Sequence, residues 1–214
     1  MFETSVEVYY KNMQNQVDYK PGADLILNPL IESQLYTNGK GRAYGTEFFL
    51  KKSTGKLTGW ISYTISQTER KFDKINNGDW YPAKQDRTHD VSVVLSYQPS
   101  QKWIFATTWV YATGNAVTFP QGKYYYEGEM VSYYTERNGY RMPAYHRMDI
   151  SATYHVPKRR RIESEWNLSV YNVYDRENAY SIDFQPDPND PSKTQAVKTW
   201  LFGVIPAVTY NFKF

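Results

Sequence analysis

Hydrophobic and polar residues alternate along much of this chain with the period of two that is typical of β-strands. One face of each such segment carries large apolar or aromatic side chains, and the other carries mainly Ser, Thr, Asn or Gly. Turn-forming residues separate the segments. The pattern predicts eight strands, at about residues 2–11, 42–52, 57–67, 89–98, 103–113, 146–156, 164–174 and 197–214.

The eighth predicted strand has the clearest alternation. Its even positions from Trp200 to Phe214 are all large and apolar or aromatic, apart from Pro206. A proline lacks the N–H that a strand ladder uses, so we expect a kink or bulge at Pro206.

The connections between the predicted strands alternate in length without exception. The long ones are residues 13–41, 69–88, 114–145 and 175–196, and the short ones are residues 53–56, 99–102 and 157–163. Outer-membrane barrels have short periplasmic turns and long extracellular loops, whereas a soluble lipid-binding protein or β-sandwich is expected to mix lengths at both ends. The sequence therefore predicts an all-β fold, a segment of an antiparallel transmembrane β-barrel with about eight meander strands.

Composition fits this prediction. Aromatic residues make up 17% of the 214 residues, and mean hydropathy is −0.70. No apolar run approaches the roughly 18 residues of a membrane-spanning helix. The chain has no cysteine, which excludes disulfides and thiolate metal sites, and its net charge is +3. The one basic run, residues 158–161, is expected to be a solvated turn, so nucleic acid is not an expected partner.

Four internal stretches and the C-terminus carry a resemblance to a known family. They read GRAYGTEFFLKK at residues 41–52, GWISYT at 59–64, YATGN at 111–115, YNVYDREN at 171–178 and IPAVTYNFKF at 205–214. In their order and spacing they resemble TonB-dependent receptors of Bacteroidetes-type bacteria.

The resemblance implies an outer-membrane barrel of about 22 strands with a plug inside it. Residues 1–214 are then expected to be part of a single barrel domain, about its last eight strands, with the plug absent. The sequence has no signal peptide, as expected for a mature chain or a fragment. The implied function is active import of a metal chelate, oligosaccharide or similar ligand, without enzyme activity or a cofactor. Expected partners are outer-membrane lipid, the barrel-assembly machinery, the remaining barrel and plug, TonB through the plug, and a small ligand.

The last residues resemble the C-terminal signal that the barrel-assembly machinery recognises in outer-membrane proteins. Aromatic or apolar residues recur on one face of the final strand and end on the terminal phenylalanine. The candidate signal residues are Val208, Tyr210, Phe212 and Phe214.

Aromatic residues on the long connections are candidates for contact with a ligand, because loops above a channel mouth commonly carry binding residues. The alternative is that they pack the loops together or lie in the interfacial belt. The candidates are Trp80, Tyr81, Tyr124, Tyr125, Tyr126, Tyr133 and Tyr134.

No pattern of catalytic or metal-binding residues emerges. The histidines His89, His146 and His155 fall on predicted strands, where hydrogen bonding is expected rather than a metal site. Residues 73–84 depart from a calcium loop at Ile75 and Lys84. Asp183, Asp187 and Asp190 are expected to lie in a solvated loop.

A second reading is an autonomous eight-stranded outer-membrane barrel that acts as an anchor, an adhesion protein or a small enzyme. Eight strands can close into a barrel that side chains fill. The inward residues here are mostly small, which disfavours a sealed interior. The two readings differ in whether the strand near Val6 pairs with the strand near Val208.

Overall fold

A computed structural model describes residues 1–21, 23, 30–159, 162–190 and 193–214. The strands are, in chain order, β1 (Phe2–Tyr19), β2 (Leu35–Lys52), β3 (Leu57–Lys71), β4 (Tyr81–Pro82), β5 (His89–Tyr97), β6 (Trp103–Ala112), β7 (Ala116–Val117), β8 (Gly122–Tyr126), β9 (Glu129–Tyr133), β10 (Tyr140–Arg141), β11 (Tyr145–Arg159), β12 (Ile162–Tyr171), β13 (Ser181–Pro186), β14 (Thr194–Thr199) and β15 (Ile205–Lys213). Two short 3-10 helices cover Ile31–Gln34 and Asn76–Gly78. Within these ranges no helix is long and apolar enough to cross a membrane.

Eight of the strands form one antiparallel sheet in the order β1-β2-β3-β5-β6-β11-β12-β15, with β4 paired to the outer part of β3. Each strand lies beside its neighbour along the chain, apart from the small strands in the long connections. The predicted all-β meander is therefore confirmed. β1 and β15 lie at opposite edges and do not pair within the described residues, so the sheet is open.

The two faces of the sheet differ as the alternation predicted. Residues directly opposite each other on neighbouring strands share a face. One row across the apolar face is Val6, Phe48, Tyr63, Val91, Tyr111 and His146. One row across the other face is Thr58, Ser96, Ala106, Ser151, Ser169 and Ala207.

The apolar face has no protein layer packed over it. Val6 and Val208 are 59% and 65% exposed. The buried hydrophobic residues in the described part of the chain lie mainly in the long connections instead, and they are Phe72, Ile75, Tyr81, Ala83, Ala112 and Ala116. An exposed apolar face of this extent is typical of a surface that contacts another apolar phase, and its contact with lipid stays a prediction.

The first two strands extend well beyond their predicted ends. β1 continues to Tyr19 and β2 begins at Leu35, whereas prediction placed a loop at residues 13–41. The register shifts between Met13 and Gln16, where Asn15 has a φ of 54°. This irregularity interrupts the alternation of polar and apolar residues, so the alternation did not predict the outer half of the β1–β2 hairpin. About 9–11 residues suffice to cross a membrane, so both 18-residue strands project far past one.

The prediction of one continuous strand at residues 197–214 is wrong. Thr194–Thr199 pairs with Ser181–Pro186 in a separate hairpin, and only Ile205–Lys213 joins the main sheet. Between them, the Val204 N–H donates to Asp175 Oδ1 at 2.9 Å. The alternation ran through two segments that have different partners, so periodicity alone could not separate them.

The bulge expected at Pro206 is also not found. The register of β15 against β12 is continuous from Ile205 to Lys213. Pro206 is the second residue of an edge strand, and this is a position where a missing N–H is tolerated.

Two short turns, at residues 53–56 and 98–102, lie at one end of the sheet, which we call the short-turn end, and β11 ends and β12 begins at that same end. The long connections lie at the other, the long-loop end. β11 and β12 both extend into the predicted connection at residues 157–163, so these two strands are longer there than expected. Residues 160 and 161 of the basic run lie outside the described residues.

Replacement of Ile61 by Arg tests the assignment of the apolar face. Ile61 lies on that face in the central part of β3, and an arginine facing lipid near the bilayer midplane costs about 2–4 kcal/mol. We expect Ile61→Arg to lower the free energy of unfolding by this amount in lipid vesicles, as measured by urea titration of tryptophan fluorescence. Ser62→Arg, the matched change on the opposite face, should cost much less, and equal losses would contradict the assignment.

Candidate functional site

The long-loop end contains a small hydrophobic core of its own. Phe72, Ile75 and Tyr81 are 3%, 5% and 2% exposed, and Tyr36 of β2 packs against them. Gly39 permits this packing, because a Cβ there would lie 2.3 Å from the Phe72 ring. Ile75, which breaks the calcium-loop pattern, is thus a packing residue that fixes the β3–β5 connection.

Asp18, at the outer end of β1, joins three segments that are distant in sequence. Its carboxylate accepts a hydrogen bond from the Tyr81 hydroxyl at 2.8 Å and another from Arg137 Nη1 at 2.7 Å. Arg137 Nη1 also donates to the Tyr19 carbonyl at 2.7 Å. Burial raises the pKa of the Tyr81 hydroxyl, and the bond to Asp18 raises it further. Tyr81 therefore remains a proton donor to Asp18 at neutral pH.

Two asparagines fasten the β6–β11 connection to the β3–β5 connection. Asn76 Nδ2 donates to the Arg137 carbonyl at 3.0 Å, and the Arg137 N–H donates to Asn76 Oδ1 at 2.8 Å. Asn138 Nδ2 donates to the Pro82 carbonyl at 2.9 Å. These bonds satisfy backbone groups that would otherwise need water.

Asp86 makes a charged link between the same two connections. Its side chain is fully buried, it accepts a hydrogen bond from the Thr68 N–H and it forms an ion pair with Arg141. Arg141 Nη1 also donates to the Asp86 and Gly114 carbonyls, each at 3.1 Å. A buried carboxylate is stable only when such partners replace its water.

These contacts join three segments into one unit, which we call the docked loops. The segments are the outer end of β1, residues 72–88 and residues 113–144. A cleft of about 680 Å³ opens among them. Its wall includes Arg70, which shares the polar face of β3 with Ser62 and Ser66. The cleft therefore lies above the polar face, where a binding site at the mouth of a barrel is expected.

The candidate aromatic residues have different environments within this end of the molecule. Tyr81 is buried in the loop core, and Trp80 packs against Arg42 with the guanidinium carbon 4.3 Å from its ring centroid. Both arrangements favour the packing alternative for these two residues. Tyr134 is 56% exposed and lines the cleft.

The other candidates lie on or beside the β8–β9 hairpin. Its turn at Glu127 and Gly128 has positive φ at both residues, which is typical of a two-residue hairpin. Tyr124, Tyr126 and Tyr133 share one face of it, and Tyr125 lies on the other face. All four are between 49% and 72% exposed. They remain candidates for ligand contact.

The family-like stretch at residues 171–178 forms a compact turn beyond β12. The strand ends because Asn172 has a φ of 53°, and its side chain bonds to the N–H and carbonyl of Arg176. The Asn172 N–H donates to Asp149 Oδ1 at 2.9 Å. Asn178 closes the turn by bonding to the backbone of His146. The stretch is therefore a structural cap on β11 and β12.

The three histidines each have a polar partner. The Nδ1 atoms of His89 and His146 lie 2.9 and 2.8 Å from the hydroxyls of Tyr63 and Tyr174. His155 Nδ1 lies 3.1 Å from Glu165 Oε2. In the described part of the chain, no group of three or more His, Asp or Glu side chains is placed to hold a metal ion.

The four candidate assembly-signal residues all lie on the apolar face of β15 or continue it. Tyr210 stacks on Phe212 at 5.9 Å between ring centroids, and Phe212 stacks on Phe214 at 6.2 Å. Phe214 is 92% exposed and Val208 is 65% exposed. These four side chains, which we call the terminal ladder, are thus accessible at an edge of the sheet.

Sequence reasoning did not find the charged residues that hold the docked loops. Asp18 and Arg137 are 119 residues apart, and Asp86 and Arg141 are 55 apart. No local motif marks such pairs, since each residue alone looks like an ordinary charged loop residue.

Comparison with known proteins supports the outline of the fold. Residues 1–174 match the family described as TonB dependent receptor-like, beta-barrel. No curated protein sequence matches the chain significantly.

A solved structure resembles the whole chain. It is the ferripyoverdine receptor of the outer membrane of Pseudomonas aeruginosa, bound to ferripyoverdine, with a TM-score of 0.58 and 12% sequence identity. The match covers 99% of this chain and 24% of that receptor, so the chain spans about a quarter of its length. At this identity the likeness shows the fold alone.

Replacement of Asp86 by Ala tests whether the docked loops depend on its buried carboxylate. The change removes the acceptor of the Thr68 N–H and the ion pair of Arg141, which keeps only its two backbone carbonyl acceptors. We expect this to lower local stability by about 1–3 kcal/mol. We expect hydrogen–deuterium exchange to rise about tenfold or more within residues 68–88 and 113–144. Asp79→Ala, an exposed carboxylate in the same connection, is the control. Equal exchange in both variants would show that the Asp86 contacts do not hold the loops.

Proposed function

Because the chain belongs to the TonB-dependent receptor β-barrel family, we propose that it forms eight adjacent strands of a larger outer-membrane receptor that imports a small ligand. The family places the protein in the bacterial outer membrane, among receptors and not among enzymes. The long-loop end is then extracellular and the short-turn end periplasmic.

The observation that carries this proposal is the cleft among the docked loops. It lies at the extracellular end of a sheet whose polar face would line the barrel interior. Import requires a ligand to bind before it crosses, and a cleft of about 680 Å³ has the size of a small-molecule site. A metal chelate or an oligosaccharide fits this description.

The open sheet favours a larger barrel over an autonomous eight-stranded one. Closure at eight strands needs a ladder between β1 and β15, which lie at opposite edges of the described sheet. The inward row of Ser96, Ala106, Ser151 and Ser169 also leaves space that such a barrel would have to fill. We therefore propose that residues 1–214 belong to a single barrel domain and that further strands pair with both edges.

The proposed partners follow from this arrangement. Outer-membrane lipid covers the apolar face, and the barrel-assembly machinery recognises the exposed ladder of Val208, Tyr210, Phe212 and Phe214. A plug inside the completed barrel would bind TonB and couple ligand release to energy from the inner membrane. The loop aromatic residues, Tyr134 above all, would contact the ligand.

Uptake in whole cells tests the transport proposal. We expect at least one compound, from a panel of labelled ferric chelates and neutral oligosaccharides, to accumulate only when both this protein and TonB are present. Cells that lack TonB but retain the protein are the matched control, because their outer membrane keeps the barrel without its energy source. Accumulation that needs the protein but not TonB would point to a passive channel.

The terminal ladder gives a separate prediction about assembly. Phe214→Ala removes the last aromatic side chain from the lipid-facing row, so we expect several-fold less folded protein in the outer membrane. The readout is the heat-modifiable band on an unboiled gel. Lys213→Ala, on the opposite face of the same strand, should leave that band unchanged, and equal loss in both variants would argue against a recognised ladder.

A further inference from the structure

The cleft among the docked loops carries an excess of positive charge. Its lining includes two acidic and four basic side chains. The acidic residues are Asp18 and Glu136, and the basic residues are Arg70, Lys74, Lys84 and Arg137. The whole chain has a net charge of only +3, so this excess is a local feature of the cleft.

The Asp18 carboxylate is already neutralised by its neighbours. It accepts a hydrogen bond from Arg137 at 2.7 Å, and Arg70 Nη1 lies 3.9 Å from its other oxygen. One carboxylate thus faces two guanidinium groups. A negative ligand that enters the cleft would meet little repulsion from Asp18.

The two lysines are available for a ligand. Lys74 and Lys84 are both exposed. Neither forms an ion pair among the described residues, whereas Lys51, Lys193 and Lys198 do. An ammonium group with no carboxylate partner can bind an anion without first breaking an internal contact.

Two further observations fit the same ligand chemistry. Lys84 also lines an adjoining cleft of about 560 Å³ together with Arg87, so positive charge continues along the surface. Tyr19 and Tyr134 line the main cleft and offer flat apolar surface beside the charges. Such a wall suits an organic anion better than a bare ion.

We propose that this cleft binds a small ligand with two or more carboxylate or phosphate groups, and that Lys74 and Lys84 make the main charged contacts. The inference rests on the proposed receptor function and narrows its ligand class. Neutral oligosaccharides fit less well, because they carry no negative charge to pair with the two lysines.

Calorimetric titration of the full-length protein in detergent micelles tests the proposal. The probes are citrate, pyrophosphate and the neutral sugar cellotriose. We expect citrate, pyrophosphate or both to bind, with affinity that falls as salt is raised, because exposed charges are screened. Binding of citrate alone supports a carboxylate ligand, and binding of pyrophosphate alone supports a phosphate ligand.

Paired variants locate the binding. The double variant Lys74→Gln/Lys84→Gln should raise the dissociation constant of the bound anion about tenfold, since it removes both charge-assisted contacts. Lys56→Gln/Lys102→Gln makes the same change in charge on exposed lysines at the short-turn end and should leave the constant unchanged. A heat-modifiable band at wild-type level verifies that both variants fold.

Two results overturn the proposal: neither anion binds, or an anion binds equally well to both double variants. Because these titrations need no energy source, they are independent of TonB-dependent uptake. Anion binding without such uptake refutes only the transport proposal, and uptake of a neutral compound without anion binding refutes only the cleft proposal.

Discussion

The whole structure depends on the backbone hydrogen-bond ladder of the eight-stranded sheet. In an ordinary globular domain, packed side chains provide most of the stability, but here the main sheet has no protein layer over its apolar face. In lipid, an unpaired peptide group costs several kcal/mol, so strands must pair along their length. Sequence requirements on each strand are correspondingly loose, since a lipid-facing position needs an apolar side chain and not a particular shape. This accounts for a shared fold at 12% identity.

The same constraint explains which features the sequence could predict. Alternation and turn residues are local, and they located five of the eight strands to within a few residues. The outer half of the first hairpin was missed because the irregularity near Asn15 interrupts the alternation. The last strand was overextended because Thr194–Thr199 alternates while pairing with β13 rather than the main sheet. Periodicity reports that a segment is a strand and does not report its partner.

The docked loops are held by contacts between residues that are distant in sequence, so the sequence predicted little of their structure. Tyr81 was a candidate for ligand contact because it is an aromatic residue in a long connection, yet it is buried and bonded to Asp18. Its immediate neighbour Trp80 packs on an arginine of β2. An aromatic residue in a long connection can pack within a loop or face a ligand with equal local plausibility. Only the fold of the connection decides, as at Tyr134, which lines the cleft.

The span of the Asp18–Arg137 contact has a consequence for the order in which the molecule matures. Most neighbouring strands of the main sheet are close in sequence and can pair early, whereas this contact closes a loop of 119 residues. Closing a long loop costs more chain entropy than pairing two neighbouring strands, so contacts with large sequence separation form late. The docking of the outer end of β1 must therefore wait for the connection that carries Arg137. A partly inserted chain would have its first strands paired but not the cleft among the docked loops, which would form only once most of this eight-stranded sheet is in place.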